Sequence, residues 1–200
     1  MSRTMRTKTV GMLVSLIVAG YAFSAHSEIK VTINEVKVED TVYTPYYNVQ
    51  TEQDHEQGSA ARWIRLGVYF TTEGGWIDEI DISQIAAIKK GDDEKGLMLF
   101  ERVHYINLSP GDHYAYVYLH PSYVKRYDVD AFDLDTAATI SINGEVVAKK
   151  ETDRHFKEGW SSSDEAVNAK GYLLNHKETP FWFINYDFKE IIKEQDHSKK

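Results

Sequence analysis

The stretch from Phe100 to His120 constrains this chain most. Within it, Ser109-Pro110-Gly111-Asp112 separates two runs of alternating residues. Proline suits the second position of a type II turn and glycine the third, where φ must be positive. In the second run His113, Ala115, Val117 and Leu119 share one side, while Tyr114, Tyr116, Tyr118 and His120 share the other. A period of two fits a strand and not a helix. The spacing therefore predicts a hairpin with one small, mostly apolar face and one tyrosine ladder.

The same period recurs along the chain. Ile29, Val31 and Ile33 alternate on odd positions and Val36 and Val38 on even ones, so a β-bulge or a change of partner is expected near Asn34-Glu35. Ile64, Leu66, Val68 and Phe70 oppose Trp63, Arg65, Gly67 and Tyr69, the pattern of a central strand. Pro45 confines Thr41 to Val49 to an edge or loop, and Gln50 to Ala61 and Lys89 to Gly96 read as exposed loops. Trp76, Ile80 and Ile82 share a parity that Ile85 breaks. Asn143-Gly144 is a type I′ hairpin signal, Ser122 to Tyr127 a helical turn, and Gly171 to Asn175 a last strand. Asp187 stands in capping-box spacing to Glu190, with Phe188, Ile191 and Ile192 on one helical face. Seven to nine short strands without strand–helix alternation predict an all-β, antiparallel sandwich with a short C-terminal helix. Thr179 to Ile192 carries Phe181, Trp182, Phe183, Tyr186, Phe188 and Ile191, and so much apolar surface is expected to pack back over an open face or edge.

The chain begins with a basic region at Arg3, Arg6 and Lys8, an apolar run from Val10 to Ala25, and small residues before Glu28. Residues 1–27 read as a signal peptide. The apolar run is shorter than the roughly 20 residues that span a bilayer, so no membrane insertion is expected after cleavage. Residues 28–195 form the sandwich domain of this reading, and 196–200 a mobile tail. An exported chain with no cysteine holds its fold by packing and not by disulfides, and has no site for lipoprotein acylation. The formal net charge is −8, and losing the leader removes three basic residues and no acidic ones. That balance disfavours nucleic acid and anionic lipid. The expected location is the periplasm or the outer cell surface.

No constellation converges on a reaction. The eight histidines include no H-E-x-x-H or H-x₃-H spacing, and His104 and His120 meet only if their strands pair. Asp128, Asp130, Asp133 and Asp135 crowd together, but Phe132 and Thr139 break the EF-hand pattern, so a solvated acidic turn is expected. Ser161-Ser162-Ser163 lacks a nucleophile elbow. The chain therefore reads as a non-enzyme with no metal and no cofactor. Its aromatics are more informative. Tyr114, Tyr116 and Tyr118, with Trp63 and Tyr69, are the candidate binding surface for a partner protein or a glycan, provided that they face outward and are not covered by the C-terminal segment.

Trp63 followed by alternating aliphatics, and Asp112-x-Tyr114-x-Tyr116-x-Tyr118, resemble the strand-C tryptophan and tyrosine-corner strand of an immunoglobulin domain. A longer resemblance runs through Tyr43-Thr44-Pro45-Tyr46-Tyr47, Trp63 to Phe70, Ile77-Asp78-Glu79, Val103-His104-Tyr105-Ile106-Asn107, His113-Tyr114, Gly171-Tyr172-Leu173-Leu174 and Glu178-Thr179-Pro180-Phe181. This ordered series resembles the small exported immunoglobulin-like proteins encoded beside type IV pilus genes in mucin-degrading gut bacteria. The resemblance implies an immunoglobulin-like β-sandwich, a cell-envelope location and a non-enzymatic, pilus-associated role with an envelope protein as partner. A carbohydrate-binding module using the exposed aromatics is the alternative.

Overall fold

The alternating segments pair into two antiparallel sheets in the computed structural model, which describes residues 28–45, 60–89, 97–162, 171–184 and 191–193. The expected signal peptide, most of the two long polar loops and the tail at 196–200 lie outside the described residues. The first sheet has the order β1 (Lys30–Tyr43), β2 (Arg62–Glu73), β5 (Gly111–Leu119) and β8 (Leu173–Asn175). The second runs β7 (Glu145–Glu151), β6 (Leu134–Ile142), β3 (Ile77–Ile88), β4 (Leu97–Leu108) and β9 (Ile191–Ile192). In immunoglobulin letters β1-β2-β5 is A-B-E and β7-β6-β3 is G-F-C, with β4 added beside C. The chain is an all-β antiparallel sandwich.

That order corrects two expectations. Phe100 to His120 is not a hairpin, because β4 pairs with β3 in one sheet and β5 with β2 in the other. The chain crosses between sheets at Asn107 (φ 57°) to Gly111 (φ 139°), so that both alternating strands turn their apolar sides to a shared interior. His104 and His120 consequently do not meet, and His104 pairs instead with Asp81. Trp63 lies on the B-position strand and Tyr114 on the E-position strand, so neither is the strand-C tryptophan or the tyrosine corner.

Other local signals fold as the residues dictate. The β1 register shifts between Ile33 and Glu35, where the parity slips, and shifts again between Glu39 and Thr41. Asn143 and Gly144 both take positive φ, and β6 and β7 close around them. A helix, α1, spans Pro121–Tyr127, and the His120 side chain accepts from Ser122 N at its start. The core joins Ile64, Leu66, Val68 and Phe70 from β2 to Ile80, Ile82, Val103, Val117, Leu119 and Ile140, each almost fully buried. Ile85 breaks parity because the outer face of the second sheet is also covered there: Phe156 and Trp160 pack over Ala87, Met98, Ala137 and Ile85.

The loop that carries Phe156 is tied down by Asp135. This carboxylate, fully buried, accepts from Thr152 Oγ1 (2.6 Å) and from the backbone N–H groups of Arg154 (3.1 Å), His155 (2.7 Å) and Phe156 (3.1 Å). The acidic run is thus divided. Asp128, Asp130 and Asp133 are exposed, and Asp130 accepts from Phe132 N at 3.1 Å, whereas Asp135 is an interior anchor and not part of a solvated turn.

The C-terminal helix is corrected in its described part. Ile191 and Ile192 are a short strand pairing with Tyr105 and Ile106 at the β4 edge; 185–190 lie outside the described residues. Among the described residues no helix is long and apolar enough to cross a membrane.

Candidate binding face

The β2–β5 register assembles the site. Tyr69 sits opposite Tyr114, Gly67 opposite Tyr116 and Arg65 opposite Tyr118. Since alternate residues of both strands fill the core, these residues and Trp63 line the outer face of the first sheet. The candidate residues Trp63, Tyr69, Tyr114, Tyr116 and Tyr118 therefore form one continuous stripe. Its two halves differ.

One half is capped by the segment after β8. Phe181 stacks on Tyr118 with centroids 4.9 Å apart and planes 11° apart, and meets Trp63 edge-on at 5.6 Å. His176 fastens the cap: its Nε2 lies 2.8 Å from the Phe181 carbonyl oxygen and its Nδ1 lies 3.1 Å from the Tyr118 hydroxyl. The carbonyl can only accept, so Nε2–H donates to it, and Nδ1 faces the phenol. Trp63 Nε1 donates to Thr44 Oγ1 at 3.0 Å. Trp63 is 4% exposed and Tyr118 1%. Both are removed from the candidate surface because the expected back-packing of the C-terminal segment falls on them.

The other half is open. Tyr114 is 47% exposed and meets Tyr69 edge-to-face at 4.9 Å and 85°; Tyr69 meets Tyr116 at 6.2 Å and 86°. Glu39 from β1, its side chain only 11% exposed, accepts from the Tyr69 hydroxyl and pairs with Arg65 and with Lys37 (3.6 Å). Lys37 Nζ lies 4.4 Å from the Tyr69 ring centroid, and the Arg65 guanidinium 4.8 Å from that of Tyr116. Gly67 is the floor of this cluster. A Cβ there would stand 3.0 Å from Tyr69 Cε2 and 3.2 Å from Tyr116 Cε1, so any side chain would push the rings apart. A groove of about 350 Å³ continues round the β1 edge between Lys37, Val38, Glu39, Ala131, Phe132 and Arg154.

The electrostatics make a fixed recognition surface and not an acid–base site. Burial, then the hydrogen bonds to Glu39 and Tyr116, raise the Tyr69 phenol far above its ordinary range. Burial likewise raises Tyr118, against the opposing pull of Arg65. Burial works against the Arg65 charge, but Glu39 and the neighbouring phenols outweigh it and hold the guanidinium above its usual value. All three groups keep one protonation state through the neutral range. The hydroxyl–imidazole contacts elsewhere have structural uses: His120 Nδ1 also caps α1, and buried His113 bridges Thr72 Oγ1 (3.0 Å) and the Ser109 carbonyl (2.9 Å).

Sequence parity placed Arg65 and Gly67 on this face with the aromatics. Parity also places Lys37 and Glu39 on an outer face, but the pairing of β1 with β2, which sets Lys37 opposite Gly67 and Glu39 opposite Arg65, has no signal in the apolar pattern.

A protein-family model matches residues 22–196 of this chain. A crystal structure of a protein from Akkermansia muciniphila is similar to it, with a TM-score of 0.70 and 27% identity over 84% of this chain and 95% of that one. No curated protein matches the chain.

Proposed function

The chain belongs to the family whose model spans residues 22–196, and on that premise we propose that it is an exported, non-enzymatic protein that binds a protein partner in a type IV pilus or outer-envelope assembly. The chain's resemblance to small exported proteins encoded beside type IV pilus genes, carried by segments such as Tyr43 to Tyr47 and Gly171 to Leu174, supports the assembly role. The observation that carries the binding role is the open half of the stripe, where Tyr69, Tyr114 and Tyr116 are held by Lys37, Glu39 and Arg65. Tyrosine and arginine dominate binding hot spots, because they present large mixed surfaces that lose little freedom when covered. Here the rings are locked before any partner arrives. The neighbouring groove, with Phe132 73% exposed beside Arg154, extends the same surface round the sheet edge.

A sugar platform is a weaker reading. Stacking on a pyranose needs flat, exposed ring faces, whereas Tyr69 stands edge-to-face between its neighbours and Lys37 lies over its ring. Crosslinking and co-purification of the tagged chain from its own envelopes tests the proposal. Recovery of a pilus or outer-envelope component, lost in Tyr114→Glu, is the expected result. Recovery of none, with unchanged piliation on deletion, contradicts it.

A further inference from the structure

We propose that Gln84, Glu101 and Glu178 hold a hard, oxygen-seeking cation of the calcium class at the seam between β4 and β8. Gln84 lies on the inner face of β3, in parity with Ile80, Ile82, Ala86 and Ile88, all of them core residues. It is 1% exposed, and neither its Oε1 nor its Nε2 has a hydrogen-bond partner. Directly opposite on β4 stands Glu101, on the inner row between Leu99 and Val103. Residues so paired have Cβ atoms about 5 Å apart, so the amide and this carboxylate are neighbours on one face, with no hydrogen bond between them. On its other side Gln84 pairs with Ala138, which has no polar side-chain atom to offer it.

The opposite sheet supplies the rest. Asn175 of β8 donates through Nδ2 to Glu178 Oε2 at 2.8 Å and lies close enough to Glu101 to lower its pKa, so one carboxamide stands between two carboxylates. Neither carboxylate carries an ion pair among the described residues. Burial, and then the Glu178 charge, push Glu101 up to about 7 against the lowering effect of Asn175. Two carboxylates and a carboxamide oxygen, with no nitrogen or sulfur donor, are ligands that hard divalent cations prefer. A hydrated cation gives Gln84 Oε1 a positive partner, gives its Nε2 a water to donate to, and relieves the repulsion between the two glutamates. This inference is independent of the docking face.

Calorimetric titration of calcium chloride into the chelator-stripped full chain tests it, with thermal melts alongside. Saturable one-site binding and a raised midpoint are expected at pH 8. Affinity should fall at least about tenfold in Glu101→Gln and in Glu178→Gln. Glu178→Gln changes an exposed residue that still caps its turn, so it decides the matter even if Glu101→Gln misfolds. No saturable heat at pH 8, or affinity unchanged in the variants, overturns the proposal. Stabilisation that follows pH and ignores calcium identifies a shared proton instead, and overturns it equally.

Discussion

Phe181 lies flat on Tyr118, ring against ring, and that contact closes half of the outer face. Phe181 is 8% exposed, and removing its ring opens a void over both Trp63 and Tyr118. Phe181→Ala should cost about 3 to 5 kcal/mol in urea melts. Truncation before Thr179 should lower the urea midpoint further and leave the chain monomeric. An unchanged midpoint would mean that the segment is an assembly element and not a cap.

Adjacent positions on β2 separate core from face. Leu66, with no exposed surface, should lose about 2 to 5 kcal/mol on replacement by alanine. The sequence pattern alone marks Arg65 as a surface residue of little consequence. Its pairing with the mostly covered Glu39 makes Arg65→Ala cost on the order of 1 kcal/mol, a partly exposed pair being screened by water. Equal losses at the two positions would contradict the register.

Those two residues show what was readable before folding. Parity distinguished inner from outer on β2 and β5, located the β1 bulge at Asn34-Glu35 and marked the Asn143-Gly144 turn, because each depends on nearest neighbours in the chain. Strand partners were not readable. Ser109-Pro110-Gly111 has the same chemistry whether it closes a hairpin or crosses between sheets, and only the competition of β3 and β2 for partners decides. The site was half legible for the same reason: the tyrosine row lies in one strand, but its cap and its Glu39 anchor arrive from segments far away in sequence.

Asp135 sets an acid limit on stability. Burial alone would raise its carboxyl, but the hydrogen bonds from Thr152 and from the backbone of His155, Arg154 and Phe156 outweigh it and hold the group below the usual carboxylate range. A lowered folded value stabilises above the unfolded pKa of about 4, and that contribution is lost as pH falls through the folded value. Asp135→Asn should therefore cost about 2 to 3 kcal/mol at pH 7 and progressively less as pH falls through the folded value. A penalty independent of pH would show that its role is packing.

Glu101 works in the opposite direction. Its folded value of about 7 lies above the unfolded value of about 4, so its contribution is complete below pH 4 and is lost as pH rises through 7. Without added cation, melting midpoints should decline across that window, and Glu101→Gln should flatten the decline. A wild-type profile that is flat between pH 5 and 8 would contradict the geometry at the seam.

A photo-crosslinking residue in place of Tyr114 tests the docking face most directly, with the same residue in place of Trp76, 66% exposed and outside the β2–β5 stripe, as control. In intact cells, the proposed function predicts an adduct with a pilus or outer-envelope component from position 114 and little from position 76. Adducts from position 76 alone, or equal yields from both, would contradict it.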